Sequence, residues 1–149
     1  MKRILCAVVL VFISSCVWAN DLVDEATALA ANNISDEYIT CGVFYSIVAA
    51  GLVKSGNPES AANAENAANT AMELGLQFAR NGRSNEMAAK VFKAKMELNY
   101  EEMTKSMGND FGNISILLNK HSNRCKWGMN NPEELVKEWM NKSLETLTK

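Results

Sequence analysis

The sequence has one histidine, His121, and two prolines among its 149 residues. A single histidine excludes metal sites built from several imidazoles and leaves only one possible base for a Ser-His-Asp arrangement. The chain also lacks a Gly-x-Ser-x-Gly elbow, a phosphate-binding glycine loop and a His-Glu-x-x-His sequence. These absences predict a protein that is not an enzyme and that carries no cofactor.

The N-terminal apolar run, residues 4–13, follows two basic residues. It is shorter than the roughly 20 apolar residues that a membrane-spanning helix needs, and this pattern is typical of an export signal. Cleavage after Val17-Trp18-Ala19 would leave a single domain, residues 20–149, without a membrane span. We therefore expect a signal peptide of bacterial type at residues 1–19 and a mature protein that is periplasmic or secreted.

A second cleavage site overlaps the first. Ile13-Ser14-Ser15-Cys16 resembles a bacterial lipobox, in which an aliphatic residue and two small residues precede a cysteine. Cleavage before Cys16 would place a lipid on this residue and anchor the protein in the envelope. Release after Ala19 is the preferred prediction, because the lipobox match is degenerate. We expect membrane attachment only if Cys16 is lipidated.

Loss of Lys2 and Arg3 with the signal peptide leaves 13 basic and 17 acidic residues, a net charge of −4. A nucleic-acid partner is not expected, because nucleic-acid-binding domains are usually basic on one face. From residue 21 to residue 79 the only base is Lys54, against eight acids, whereas the rest of the chain is mildly basic. The two halves could attract each other within the fold or steer a charged partner.

No segment of the mature chain has the pattern of a strand, and the helix boundaries are clearly marked. Both prolines lie in Asn-Pro-Glu tripeptides, at Asn57-Pro58-Glu59 and Asn131-Pro132-Glu133, where Asn can cap free amides and Pro fits the first helical turn. The predicted helices are residues 21–32, 36–53, 58–80, 85–107, 111–125 and 132–147. Ser35 is expected to cap the second of them, with Asp36 and Glu37 in its first turn. We expect an all-α irregular bundle of about five to six helices.

The spacing of apolar residues predicts how these helices pack. The second is apolar nearly all round, from Tyr38 to Val53, and is therefore expected at the centre of the bundle. A seam of small residues on the third helix would pack closely against it: Ala61, Ala64, Ala68, Ala71 and Gly75. The fourth helix is expected to bury one apolar face: Met87 or Ala88, Val91, Ala94 and Leu98. An adjoining stripe lies beside that face: Phe92, Met96, Tyr100, Met103 and Met107.

Two cysteines, Cys41 and Cys125, remain after the signal segment. An even pair in an oxidising compartment predicts a disulfide. A bridge that closes so long a loop would stabilise the fold by about 4–5 kcal/mol in the chain-entropy model.

A soft-metal site is the alternative chemical interpretation. Met103 and Met107 are one helical turn apart, and thioethers together with His121 suit Cu(I) in an exported protein. Methionine is also an adaptable filler of helical cores. For this stripe, core packing is the preferred interpretation.

A partner-binding surface is predicted in the "RCKWGMNNPEEL" segment, residues 124–135, which joins the fifth helix to the last. An aromatic residue with basic neighbours on a rigid connection suits a partner contact. The predicted contact residues are Lys120, Arg124, Lys126, Trp127 and Met129. The competing interpretation is that Trp127 packs against the disulfide and closes the end of the bundle.

Together these features favour a non-enzymatic exported protein that binds another protein, in an immunity-, inhibitor- or chaperone-like role. The layout is a signal peptide followed by a small helical bundle with one disulfide. It resembles the layout of periplasmic acid chaperones and of immunity proteins against toxins. The resemblance is one of architecture and does not identify the partner.

Overall fold

A computed structural model describes residues 21–149 with their side chains, and in this part of the chain every regular element is helical. The elements are α1 (Lys2–Lys54), α2 (Pro58–Ala79), α3 (Asn85–Ser106), a 3₁₀ turn (Phe111–Asn113), α4 (Ser115–Asn130) and α5 (Pro132–Leu147). The prediction of an all-α bundle is confirmed. The predicted signal peptide and Cys16 lie outside the described residues.

Helix α1 is continuous where two helices were expected, and the predicted break before Ser35 is wrong. Its buried residues keep one helical spacing across that point: Ala26, Ala30, Ile34, Tyr38 and Cys41. Ser35 caps no helix, because its hydroxyl donates a hydrogen bond of 2.8 Å to the backbone oxygen of Gly75 on α2. An unbroken apolar face can be buried along its whole length, which favours one long helix over two short ones.

Helices α1 and α2 cross closely through small residues. The predicted seam on α2 is buried at Ala61, Ala68, Ala71 and Gly75. A Cβ added to Gly75 would lie 2.9 Å from Ile39 Cγ1, and one added to Gly42 would lie 2.6 Å from Met72 Cγ. The two glycines therefore allow an approach that a larger residue would prevent.

Two clusters of buried side chains form the core. The first surrounds the two cysteines: Cys41, Val43, Phe44, Ile47, Ala71, Met103, Met107, Leu117 and Cys125. The second contains Ala30, Ile34, Tyr38 and Leu135, with Trp127 partly buried against it. Because α1 contributes to both clusters, it is the central helix of the bundle. The segment predicted to be central, Tyr38 to Val53, is its C-terminal part.

The two Asn-Pro-Glu tripeptides start helices in different ways. The Asn57 side chain accepts a hydrogen bond of 3.2 Å from the backbone nitrogen of Ser60, so it caps α2 as predicted. The Asn131 side chain makes no capping hydrogen bond to α5, and its amide instead donates to the Trp127 backbone oxygen at 2.9 Å. The predicted capping role of Asn131 is therefore wrong, because its side chain closes the end of α4.

Helix α4 begins and ends later than the predicted helix 111–125. Residues 111–113 form the 3₁₀ turn, and α4 continues to Asn130, so the segment predicted to be a connection is mostly helical. Gly128 is buried within it, and a Cβ at this position would lie at an ordinary 3.5 Å from Leu135 Cδ2. No proline interrupts the helix before Pro132, and only Asn131 separates α4 from α5.

Of the predicted buried face of α3, only Ala88 is fully buried, and the rest of the prediction is wrong. The side chains of Met87 and Leu98 are 51% and 57% exposed, and Ala94 is exposed too. The helix also buries Met103 of the adjoining stripe. The adjoining methionine stripe offers more apolar surface to bury than a face that contains alanine, which favours this rotation of the helix.

The segment Asp21–Lys54 is long and apolar enough to cross a membrane by length and composition. The same segment supplies buried residues to both core clusters. A core helix passes the same test as a membrane span, so this property does not establish a membrane-spanning segment.

Candidate functional site

The predicted disulfide between Cys41 and Cys125 is formed, with an S–S distance of 2.10 Å and a Cα–Cα distance of 5.3 Å. It joins α1 to α4, and both residues are buried. Its place in the first core cluster indicates a structural crosslink, since reactive cysteines are usually partly exposed.

Arg124 forms an ion network between three helices. Its Nη2 donates to Glu37 Oε2 on α1 at 3.0 Å, and its Nε donates to the other oxygen of the same carboxylate. Its Nη1 donates to Glu138 Oε2 on α5 at 2.8 Å. The side chain of Glu37 is only 13% exposed. The bidentate pair therefore fixes α4 against α1 in a defined geometry.

Trp139 adds a third donor to the carboxylate of Glu37, with its indole Nε1 at 2.6 Å from Oε2. Hydrogen bonding to Glu37 raises the pKa of the Arg124 guanidinium. Hydrogen bonds from Arg124 and then Lys142 lower the pKa of Glu138. Both shifts favour the charged forms, so Arg124 and Glu138 are ionised at neutral pH.

The predicted partner-contact residues are separated by the helical geometry of α4. The Arg124 guanidinium lies 4.6 Å from the centre of the Trp127 ring, and Trp127 and Met129 pack against the second core cluster. Lys120 and Lys126 are exposed, but six positions along a helix place them about 120° apart. This surface stays a prediction, and three of its members, Arg124, Trp127 and Met129, are already engaged within the fold.

His121 lies beside the disulfide with one atom unpaired. Its Nε2 is buried and has no hydrogen-bond partner among the described residues, and its ring centre is 5.8 Å from that of Phe44. Burial, followed by repulsion from Lys120, lowers the pKa of the imidazole. The ring is therefore mostly neutral at pH 7.

Met103 and Met107, the methionines of the alternative copper site, are buried in the first core cluster. Met103 and His121 also line a small cavity of about 40 Å³. Within residues 21–149 no three His, Cys, Asp or Glu side chains are grouped so that they could hold a metal ion. Burial of both thioethers agrees with the core-filling use of methionine, and copper binding stays a prediction.

An open apolar cleft lies between α1, α2 and α3. Its volume is about 250 Å³, and its walls are Val43, Ser46, Met72, Met96, Glu97 and Tyr100. The Ser46 hydroxyl is used within α1, where it donates to the Gly42 backbone oxygen at 3.0 Å. Tyr100 is 52% exposed although its side chain lines the cleft. The cleft can therefore receive an apolar group without leaving the Ser46 hydroxyl unpaired.

The cleft was not predicted from the sequence, because Met96 and Tyr100 were assigned to an apolar stripe whose spacing is typical of a buried helix face. One sequence feature indicates that Tyr100 is not fully buried: its spacing places it on the same side of the helix as Lys93 and Glu97. A tyrosine at the border between an apolar stripe and charged residues is expected to be half exposed.

Comparison of the chain with protein-family models, curated proteins and solved structures found no match. The geometry of the surfaces described above is therefore the basis for a functional proposal.

Proposed function

We propose that this protein is exported and acts without catalysis by binding another protein through the cleft between α1, α2 and α3. The observation that carries the proposal is the open concave surface formed by Val43, Met72, Met96 and Tyr100. Exposed concave apolar surface is typical of interaction sites, since covering it removes apolar area from water.

The size of the cleft fits a single large side chain. Its volume of about 250 Å³ is below the range of about 300–1,000 Å³ that is usual for small-molecule sites. An aromatic or branched aliphatic side chain of a partner would fill it and cover the exposed part of Tyr100. Tyrosine is also enriched among the residues that dominate interface energetics.

Charge around the cleft favours a basic residue beside that anchoring side chain. The Glu97 side chain at the rim is 68% exposed, with Lys93 Nζ 3.8 Å from its carboxylate. Glu73 follows Met72 on α2 and is exposed. Residues 21–79, which contribute the α1 and α2 walls, contain eight acids and one base. The partner segment is therefore expected to present a large apolar residue close to Lys or Arg.

The disulfide and the apolar N-terminal segment are both compatible with export, and the bacterial periplasm is the compartment that we propose. A role of the immunity, inhibitor or chaperone kind needs a binding surface and no catalytic group.

Affinity capture from periplasmic extract tests the binding proposal. The baits are the wild type, Tyr100→Glu, and Leu98→Glu as a control on the same helix facing away from the cleft. A partner should be retained by the wild type and by Leu98→Glu and lost with Tyr100→Glu. Calorimetry with the purified partner should then give an affinity at least about tenfold lower for Tyr100→Glu. Equal capture by all three baits, or no partner in repeated extracts, would contradict the proposal.

The intact mass of the protein purified from its host tests export. A chain that starts at Asn20 and is lighter by two hydrogens agrees with cleavage after Ala19 and with the disulfide. A chain that starts at Cys16 with added acyl mass would show the lipid-anchored alternative. The mass of the uncleaved chain would contradict the predicted processing.

A further inference from the structure

The turn between α2 and α3 contains Asn81-Gly82, the only place in the sequence where glycine follows asparagine. Both residues are exposed, and the φ angle of Gly82 is +68°, in the left-handed region that favours glycine. A Cβ built at Gly82 would meet no atom within 4 Å beyond its chain neighbours. The turn is therefore open on the side of Gly82, and no side chain there shields Asn81.

The backbone nitrogen of Gly82 is not engaged in the turn. The amides on either side of it are used, since Asn81 donates to the Phe78 oxygen at 3.1 Å and Arg83 donates to the Arg80 oxygen at 3.2 Å. The Gly82 amide donates to no backbone oxygen among the described residues. An exposed amide nitrogen without a hydrogen bond and without a neighbouring Cβ can approach the side-chain amide of the asparagine before it.

We propose that Asn81 is a site of spontaneous deamidation, with the Gly82 nitrogen as the nucleophile. This nitrogen forms a bond to Asn81 Cγ, the bond from Cγ to Nδ2 breaks, and the proton of the Gly82 amide leaves with ammonia. The product of this step is a cyclic imide. No oxidant or reductant takes part, and water is the only co-reactant of the following step.

Water opens the imide in one of two ways. Addition at Cγ breaks the bond from Cγ to the Gly82 nitrogen and leaves an aspartate in an ordinary peptide chain. Addition at the main-chain carbonyl carbon of residue 81 breaks the bond from that carbon to the same nitrogen. The chain then runs through Cβ and Cγ, which is isoaspartate. The overall reaction replaces the side-chain amide with a carboxylate and releases ammonia.

Other exposed asparagines lack this combination of features. Asn109 also has a positive φ angle, 58°, but the backbone nitrogen that follows it, in Asp110, is hydrogen-bonded at 3.3 Å. Asn66 is exposed within α2, and Ala67 after it carries a Cβ and lies in the helix. Helical hydrogen bonding uses the amide of a residue at this position. The reaction is therefore expected at Asn81 first.

The modification changes the charge of the turn. Asn81 lies between Arg80 and Arg83, and Arg83 Nη1 donates to the Ala79 backbone oxygen at the end of α2 at 3.1 Å. Deamidation adds a negative charge beside these two arginines, and isoaspartate also lengthens the backbone of the turn by a methylene group. The residues that line the cleft lie outside this turn, so the proposal does not rest on the proposed partner binding.

Incubation of the folded protein in a mildly alkaline buffer at physiological temperature tests the proposal. Cleavage after glutamate then releases the peptide 74–86, which contains Asn81. Mass spectrometry follows the conversion of each side-chain amide to a carboxyl group, and fragmentation separates aspartate from isoaspartate. Asn81 should react at least about tenfold faster than Asn66 and Asn109. The modified protein should bind an anion exchanger more tightly, because it carries an additional negative charge.

Two comparisons make this test specific. The isolated peptide 74–86 gives the rate without the fold, and Asn81 in the folded protein should react within about tenfold of that rate. Asn81→Gln keeps an amide at the same position but would have to close a larger ring, so residue 81 should stay unmodified over the same period. A folded protein that reacts more slowly than this limit, or equal rates at Asn81, Asn66 and Asn109, would overturn the proposal.

Discussion

Arg124 and Glu37 lie 87 residues apart in the chain and form a bidentate ion pair between α4 and α1. The disulfide joins the same two helices at the next position on α4, Cys125. Glu138 binds Arg124, and Trp139 binds Glu37, so α5 is held by the same pair. A covalent bond and a hydrogen-bonded ion network therefore fix three helices at one place in the bundle.

Glu37→Gln should lower the free energy of unfolding by about 2–3 kcal/mol, because Arg124 loses its main charged partner in a half-buried site. Chemical denaturation at neutral pH measures this loss. Glu134→Gln is the control, since Glu134 forms only an exposed pair with Lys137, and it should change stability by less than about 0.5 kcal/mol. Similar losses for both variants would show that the Arg124 network does not contribute as described.

Replacement of Cys41 and Cys125 by serine should lower the free energy of unfolding by about 4 kcal/mol, because the crosslink restricts the unfolded chain. The two residues are separated by 84 positions, which makes the closed loop long. Denaturation of the wild type with and without a reductant should give the same difference as the double variant. A difference below about 1 kcal/mol would contradict the entropic account.

His121 should make stability fall with decreasing pH. Burial lowers its pKa in the folded state below the ordinary value of 6.5, so the unfolded chain binds the proton more strongly. The stabilisation is therefore complete above about pH 6.5 and is lost as the pH falls through that value toward the folded-state pKa. Because the chain has one histidine, a single imidazole NMR signal should titrate with a midpoint below 6.5.

The control for this pH dependence is His121→Gln, which removes the titrating group. Its stability should change less between about pH 7 and about pH 5.5 than that of the wild type. An unchanged slope would assign the pH dependence to other groups.

Gly75→Ala should destabilise the fold by about 1–3 kcal/mol, because the added methyl group would press on Ile39 at the α1–α2 crossing. Gly128→Ala is the matched comparison within a helix, since its Cβ would meet Leu135 at an ordinary distance. That variant should be neutral or more stable by up to about 1 kcal/mol, the gain in helix propensity. Thermal unfolding of the two variants measures the contrast, and a stable Gly75→Ala would show that the helices can move apart without cost.

The sequence predicted the features that depend on short-range signals. Pro58 and Pro132 mark helix starts because proline fits the first turn, and the structure begins helices at both. The pairing of Cys41 with Cys125 was predicted because two cysteines remain after the signal segment and an exported protein is expected in an oxidising compartment. The break before Ser35 was predicted from a local capping signal, and the continuous apolar face of α1 outweighed that signal.

The candidate cleft and the ion network were not predictable in this way. Tyr100 belongs to an apolar stripe whose spacing is typical of a buried helix face. Whether its side chain is buried depends on the distance between α2 and α3. Glu37 was assigned only to a first helical turn, because no local pattern connects it with Arg124.

Composition and periodicity by themselves determined that this chain is an all-helical bundle with one disulfide. Helix formation follows from the local spacing of apolar residues, and the pairing follows from the two cysteines that remain after the signal segment. Only the tertiary structure decided which side of α3 is buried. Helical periodicity defines the two apolar sides of that helix equally well, but its rotation is set by the neighbours against which it packs. Met103 meets the core formed by α1 and α4, and Leu98 is therefore left at the surface.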